Sequence, residues 1–188
     1  MYELVADPNE VGNIPPYTGI VSILGTFGFC CTASICFFSS CFITPNSKSD
    51  RQWKLFLQAS GGLILLLLID DAFQVHENFS TLLFGVEANI SETNRTLQNI
   101  LEMIVFAVYG SLFAAYAFYF MKLICTTELL GLTIAFMFFG LSLIVDLLPE
   151  TLTGHFILEE GFKLLGIVSL MAYYIKTCYR KLKDRLIN

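Results

Sequence analysis

Charged residues are scarce in this sequence. Asp, Glu, Lys and Arg make up 14% of its 188 residues, whereas an ordinary soluble domain has about 25%. Basic residues are the scarcer sign, with 11 Lys+Arg against 16 Asp+Glu and a formal net charge of -5. This balance excludes a nucleic-acid-binding protein, because that class presents a basic surface. The sequence also lacks a Walker loop, a dinucleotide fingerprint, a His-Glu-x-x-His motif and a nucleophile elbow, which excludes the enzymes that depend on them.

Apolar residues are abundant and come in long blocks. They make up 55% of the chain, and the mean hydropathy is +0.67. A helix needs about 20 apolar residues to cross the hydrocarbon core of a bilayer, and five such blocks are present. The pattern predicts an all-α fold: a polytopic membrane helix bundle with five transmembrane helices, in a single transmembrane domain over residues 1–188. The predicted spans are 17–43, 53–80, 97–122, 128–148 and 155–179.

The distribution of Lys and Arg predicts the orientation of this bundle. Basic residues are retained on the cytoplasmic side of a membrane, and nine of the eleven lie between spans one and two, between spans three and four, or after span five. An odd number of spans puts those three places on one side. We therefore expect an extracytoplasmic N-terminal segment (1–16), an outer loop (81–96) and a basic cytoplasmic tail (180–188). The N-terminal segment is acidic, so we expect the first span to stay as a helix and not to be a cleaved signal peptide.

Several ionisable residues lie inside the predicted spans. Such residues cost about 2.5 to 3.5 kcal/mol each on insertion scales, and they normally face the bundle interior, pair with one another and serve a function. The ionisable residues are Asp70, Asp71, His76 and Glu77 in span two, Glu102 in span three, Asp146 in span four, and His155, Glu159, Glu160 and Lys163 in span five.

Four of these carboxylates lie at one depth. Glu77, Glu102, Asp146 and Glu159 each sit three to five residues below the outer end of a predicted span, which is roughly 5 to 8 Å at the helical rise. Like charges in a layer of low dielectric constant require a compensating positive charge. Three sources of that charge remain open: Lys163, protons shared among the carboxylates, or a bound cation.

A divalent metal ion is the cofactor that this donor set predicts. Carboxylates together with imidazole suit Zn, Fe or Mn, whereas an all-oxygen shell suits Mg or Ca. A carboxylate from each of four helices plus two histidines is also the donor set of di-iron and di-manganese bundles, although neither histidine here has their Glu-x-x-His spacing. The predicted metal ligands are Asp70, Asp71, His76, Glu77, Glu102, Asp146, His155 and Glu159, and the candidate catalytic residues are Glu77 and Lys163.

Three functions are compatible with these residues. The first is metal-dependent hydrolysis or oxidation of a hydrophobic or lipid substrate, with a carboxylate as base. The second is proton-coupled or metal-ion transport, with Glu77 and Asp70 as steps of a path. Against transport, the cytoplasmic halves of the spans carry few polar residues beyond Ser34, Ser39 and Ser60. The third is a non-catalytic subunit or assembly factor that binds partner membrane subunits.

Simpler interpretations compete with a functional site. Acidic residues near a helix end are well solvated at the level of the lipid headgroups, and Lys163 paired with Asp70 or Glu159 would hold helices together with no further role. Tyrosines such as Tyr116 and Tyr174 are typical of the membrane-interface belt or of packing. The basic tail is typical of an anchor that contacts the membrane lipids, anionic ones above all.

Overall fold

The described residues fold into five α-helices in a computed structural model. The structure describes residues 19–73, 75, 92–146 and 155–187, and the side chains of 92–99, 101, 102, 106, 146, 186 and 187 lie outside the described part. The predicted all-α class is confirmed in this part of the chain. The helices are α1 (Ile20–Cys41), α2 (Lys48–Phe73), α3 (Glu92–Ile124), α4 (Leu129–Asp146) and α5 (His155–Ile187).

Local signals set the starts of the first two helices. Gly19 precedes α1 with a φ of 70°, a left-handed conformation that glycine adopts without steric penalty. Ser47 caps α2, because its hydroxyl oxygen accepts a hydrogen bond of 3.1 Å from the Asp50 N–H. The same hydroxyl donates to the Asp50 carboxylate at 2.9 Å. This cap starts α2 at Lys48, ahead of the predicted start of the second span at residue 53.

The helices run alternately in opposite directions. α1 packs against α2 and α5, α5 also packs against α4, and α3 contacts the bundle chiefly through α2. We call the end where α1, α3 and α5 begin the acidic end, and the end where they finish the basic end. α1 and α5 therefore run parallel to each other although they are the first and last helices of the chain.

An apolar layer fills the middle of the bundle. Phe29 of α1, Ile64 of α2, Phe139 of α4 and Ile167 of α5 form it, and we call these four residues the collar. The rings of Phe29 and Phe139 stack with their centroids 6.3 Å apart. Gly28 allows α1 to approach α5, since a Cβ at that position would lie 2.5 Å from Cγ2 of Ile167. Small residues at helix contacts are what permits such close packing.

Three of the described helices are long and apolar enough to cross a membrane. They are Ile20–Cys41, Lys48–Phe73 and, within α3, Met103–Ile124. The apolar stretch of α4, Leu129–Val145, is shorter. Large apolar side chains such as Phe27, Phe38 and Phe118 are exposed on the outer faces of these helices and the bundle, as expected of surfaces that contact lipid.

Two more helices, besides α2, extend beyond the predicted spans. α3 begins at Glu92, inside the segment expected as the outer loop (81–96), and α5 continues to Ile187 through most of the expected tail (180–188). In α5 the basic residues of this segment are good helix formers, and two of them contact Asp50 at the start of α2. Lys181 Nζ lies 3.3 Å from Asp50 Oδ1, and Arg185 Nη2 lies 2.7 Å from Asp50 Oδ2.

Candidate functional site

Lys163 lies at the centre of a charged cluster at the acidic end. Its Nζ atom is 2.5 Å from Asp71 Oδ1 and 3.0 Å from Glu160 Oε1. The Thr26 hydroxyl donates a hydrogen bond of 3.4 Å to the other carboxylate oxygen of Asp71. The side chains of Lys163, Asp71 and Glu160 are 26%, 8% and 14% exposed. We call these four residues the Lys163 cluster, and it joins α1, α2 and α5 at one point.

The positions of these residues in their helices explain the cluster. Glu160 and Lys163 are three residues apart in α5, so their side chains share one face. Asp71 lies in the last turn of α2. The simpler interpretation of the sequence pairs Lys163 with Asp70 or Glu159. In the structure Lys163 contacts Asp71 and Glu160, the next residue in each case. One ammonium contacts two carboxylates, so the cluster carries a formal charge of -1 when all three groups are ionised.

Asp70 contacts a different helix from its neighbour. Its Oδ1 atom accepts a hydrogen bond of 2.9 Å from the Tyr109 hydroxyl, and the residue is buried. Successive residues in an α-helix point about 100° apart, which is why Asp70 faces α3 while Asp71 faces α1 and α5. The hydrogen bond from Tyr109 ties α3 to α2 at the acidic end.

His155 starts α5 and is buried, with 5% of its surface exposed. Its Nδ1 atom lies 3.9 Å from Glu159 Oε2, one turn further along the helix. Neither ring nitrogen has a hydrogen-bond partner among the described residues. The Ser142 hydroxyl of α4 donates a hydrogen bond of 3.0 Å to the backbone oxygen of Glu159. A buried polar group without a partner costs about 1–3 kcal/mol, so a ligand bound to His155 would remove that cost.

The structure describes part of the predicted site. Four predicted ligands and the candidate catalytic lysine lie at the acidic end, namely Asp70, Asp71, His155, Glu159 and Lys163. Within the described ranges no group of three or more His, Cys, Asp or Glu residues is arranged to hold a metal ion. The predicted metal site therefore receives no support from this part of the chain. His76 and Glu77 lie outside the described residues, as do the side chains of Glu102 and Asp146.

Residues 1–177 match the family described as Domain of unknown function (DUF8692). The chain belongs to this family. The matched region contains α1 to α4 and the whole acidic end, and it finishes within α5. Neither a search of curated proteins nor a search of solved structures finds a match.

A second polar layer of this DUF8692 chain lies nearer the basic end. The hydroxyl oxygens of Ser60 and Tyr116 are 2.7 Å apart, and those of Tyr116 and Tyr174 are 3.3 Å apart. We call these three residues the hydroxyl layer. The sequence alone makes such tyrosines typical of an interface belt or packing. The spacing of two tyrosines in α3 indicates this role in the sequence. Tyr109 and Tyr116 are seven residues apart, so they lie on one face of α3, and that face meets α2.

The collar separates the hydroxyl layer from the acidic end. On α2, Ser60 and Asp70 are ten residues apart, about 15 Å at the helical rise, and Ile64 is buried between them. Thr32 of α1 is also buried, but its hydroxyl donates to the Gly28 oxygen of its own helix at 2.7 Å. Apolar packing therefore lies between the two polar layers.

Salt bridges connect the segments of the basic end. Glu128, directly before α4, contacts Lys176 and Arg180 of α5. The hydrogen bond from Lys176 and the charges of both bases hold the pKa of Glu128 below its ordinary value. These contacts fix the start of α4 against the last turns of α5.

Proposed function

We propose that this protein is a five-span integral membrane protein, with its N-terminus outside the cytoplasm and its C-terminus inside. Three helices are long and apolar enough to cross a membrane, and α4 and α5 would cross beside them. The orientation is supported by charge, since the basic end carries nine basic residues against three acidic ones and basic residues stay on the cytoplasmic side. The acidic end would then face the outside.

We propose further that the acidic end binds a divalent cation, Zn, Fe or Mn, through carboxylate and imidazole ligands. The observation that carries this proposal is the buried imidazole of His155, which has no hydrogen-bond partner among the described residues. Glu159 lies one turn away from it. Glu77 and Asp146, whose side chains lie outside the described part, would supply further oxygen ligands.

The charge of the acidic end also favours a cation. Lys163 is engaged by Asp71 and Glu160, so its ammonium compensates those two carboxylates first. With every acid ionised and His155 neutral, the described groups sum to a formal charge of -3. Such an excess requires bound protons or a bound cation in a layer of low dielectric constant. The groups counted are Asp70, Asp71, Glu159, Glu160 and Lys163.

The collar supports a site that opens to one side of the membrane. Phe29, Ile64 and Ile167 are buried below the acidic end, and apolar packing of this kind opposes the passage of ions. A cation held above the collar would activate water or oxygen, with a carboxylate as base. Because the bundle stands in lipid, the substrate for such hydrolysis or oxidation would be a hydrophobic molecule that enters from the bilayer.

Elemental analysis of the purified protein tests the cation site. We expect one divalent metal in the wild type and its loss in a His155→Ala, Glu159→Gln double variant. Glu128→Gln is the matched control, because it removes one carboxylate from the opposite end of the bundle. Absence of metal from the wild type, or equal metal in the wild type and the double variant, would contradict the proposal. The buried polar contacts would then act as helix contacts of a non-catalytic subunit.

Proton-coupled transport is a second candidate, and the hydroxyl layer favours it. This layer places the hydroxyl groups of Ser60, Tyr116 and Tyr174 in the half of the bundle nearer the basic end. The sequence indicates few polar residues in that half. Transport would require the collar to open between this layer and Asp70. Proton flux into liposomes that fails in Asp70→Asn and persists in Glu128→Gln would favour transport over a fixed site.

A further inference from the structure

The basic end contains a cavity of about 440 Å³ between α2, α4 and α5. One wall of it is apolar and is formed by Leu130, Gly131 and Ile134 of α4 and Ala172 of α5. Gly131 keeps α4 close to α5, since a Cβ at that position would lie 3.3 Å from Cβ of Tyr173. This apolar wall suits hydrocarbon better than water.

The part of the cavity nearer the end of the bundle is lined by charged residues. Lys176, Arg180 and Lys181 of α5 contribute three positive charges, and Glu128 and Asp184 contribute two negative charges. The lining therefore has a formal charge of +1. The surrounding end of the bundle is more basic, because its nine basic and three acidic residues sum to +6. This field attracts anions to the cavity.

The protein compensates these cations only in part. Glu128 is shared between Lys176 and Arg180, and both cations are more than half exposed. Lys181 pairs with Asp50 and also lies over the ring of Trp53, 5.4 Å from its centroid. An ammonium or guanidinium group has several N–H donors, so these side chains can bind an anionic oxygen in addition to the carboxylates they already contact.

We propose that this cavity binds one anionic phospholipid. The phosphate of the headgroup would contact Lys176 and Arg180, and part of an acyl chain would lie along the apolar wall. The two parts of the cavity match the two parts of such a lipid, and basic pockets between membrane helices on the cytoplasmic side bind anionic headgroups. A free phosphate ion would use the charged part alone and leave the apolar wall in water. The site is remote from the acidic end and does not depend on a cation there.

Trp53 provides a direct assay of the occupant. It is the single tryptophan of the chain and lines the cavity, so a brominated acyl chain bound there quenches its fluorescence on contact. The protein is placed in phosphatidylcholine vesicles that contain brominated phosphatidylglycerol or, at the same mole fraction, brominated phosphatidylcholine. We expect the brominated phosphatidylglycerol to quench Trp53 more strongly.

Two variants test the apolar wall and the charged part of the cavity independently. Ala172→Phe fills the apolar wall without a change in charge and is expected to abolish the preference for the anionic lipid. Arg180→Gln removes one headgroup contact, and we expect the relative affinity for the anionic lipid to fall about fivefold, the effect of about 1 kcal/mol for one basic residue at a membrane surface. Lys183→Gln is the matched control, because Lys183 is exposed at the same end but does not line the cavity.

Three results would overturn the proposal. One is equal quenching of the wild type by the two brominated lipids. The second is an equal loss of preference in Arg180→Gln and Lys183→Gln, which would mean general attraction to an anionic surface. The third is loss of the preference on addition of inorganic phosphate at constant ionic strength, which would assign the charged part to a free anion. A preference that Lys183→Gln retains and Ala172→Phe loses, in variants that melt as the wild type does, supports the lipid site.

Discussion

Lys163→Met is expected to destabilise the helix bundle strongly. The substitution keeps a long unbranched side chain but leaves the carboxylates of Asp71 and Glu160, whose side chains are 8% and 14% exposed, without the ammonium that contacts both. Breaking a buried ion pair by removal of one partner costs about 3–5 kcal/mol, and the lower limit applies because 26% of the Lys163 side chain is exposed. A loss of about 3 kcal/mol reduces the ratio of folded to unfolded protein roughly 150-fold and lowers the Tm by about 6–12 °C for a chain of this length.

Buried thiols provide the assay for this prediction. Cys36 and Cys178 are buried in the bundle, so a thiol-reactive dye labels them only when the helices separate. The protein in detergent is heated with the dye, and labelling of Cys36 and Cys178 is followed as a function of temperature. The temperature at which half of these two thiols are labelled gives the Tm. Lys163→Arg is the matched control, since it keeps a positive charge at the same position, and its Tm is expected to fall less than that of Lys163→Met.

A triple variant separates the effect of charge from the effect of shape. Lys163→Met combined with Asp71→Asn and Glu160→Gln removes all three charges and nearly preserves the volume of each side chain. The large cost of removing one partner comes from the uncompensated charge that remains, and the triple variant leaves none, so we expect most of the lost Tm to return. The reasoning is refuted by a Lys163→Met variant that melts with the wild type, or by a triple variant that melts below Lys163→Met.

Three further predictions concern packing, a hydrogen bond and pH. Gly28→Leu should lower the free energy of unfolding by about 1–3 kcal/mol through overpacking, because a Cβ there would lie 2.5 Å from the Ile167 side chain. Adding Ile167→Ala to this variant should restore part of the lost Tm, and no recovery would contradict the contact between the two positions. Tyr109→Phe should lower the free energy of unfolding by about 1.5–3 kcal/mol, because the Asp70 carboxylate loses a hydrogen-bond donor. Limited proteolysis should then cleave α3 faster than in the wild type, and an unchanged rate would count against the contact between α3 and α2. The pKa of Glu128 lies below its ordinary value of 4.5, so the stability it contributes is present above that pH and is lost as the pH falls through the lower pKa of the folded state. The Tm should therefore fall less steeply below pH 4.5 in Glu128→Gln than in the wild type, and parallel curves would exclude a contribution from this residue.

The helices are predictable from the sequence because apolar residues are concentrated where they form, in three cases as long apolar stretches. The span predicted over 17–43 contains α1 (Ile20–Cys41), and the span predicted over 128–148 contains α4 (Leu129–Asp146). The starts of α2 and α3 are less predictable, since both helices begin inside polar segments and α2 is started by the cap from Ser47. The pattern of apolar residues thus locates helices, whereas local polar contacts determine their ends.

The partners of the buried charges are not predictable in the same way. Asp70 and Asp71 are adjacent in the sequence, and the rotation of α2 about its axis decides which of them reaches Lys163 and which reaches Tyr109. That rotation is fixed by packing against helices that are distant in the chain. No pattern within the sequence of α2 indicates this packing. The expected convergence of Glu77 with Glu102 stays a prediction, because their side chains lie outside the described residues.

The pairing of Asp71 with Lys163 has a consequence for biosynthesis. The two residues are 92 positions apart in the chain, and translation proceeds at about 5–20 residues per second, so the acid is synthesised roughly 5 to 18 seconds before its base. In the five-span arrangement proposed above, a nascent chain inserted only as far as α2 would hold a carboxylate without its counter-ion, and that group would have to stay hydrated or protonated until α5 is inserted. Completion of the last helix thereby removes a polar defect by which a cell could distinguish a finished bundle from an unfinished one.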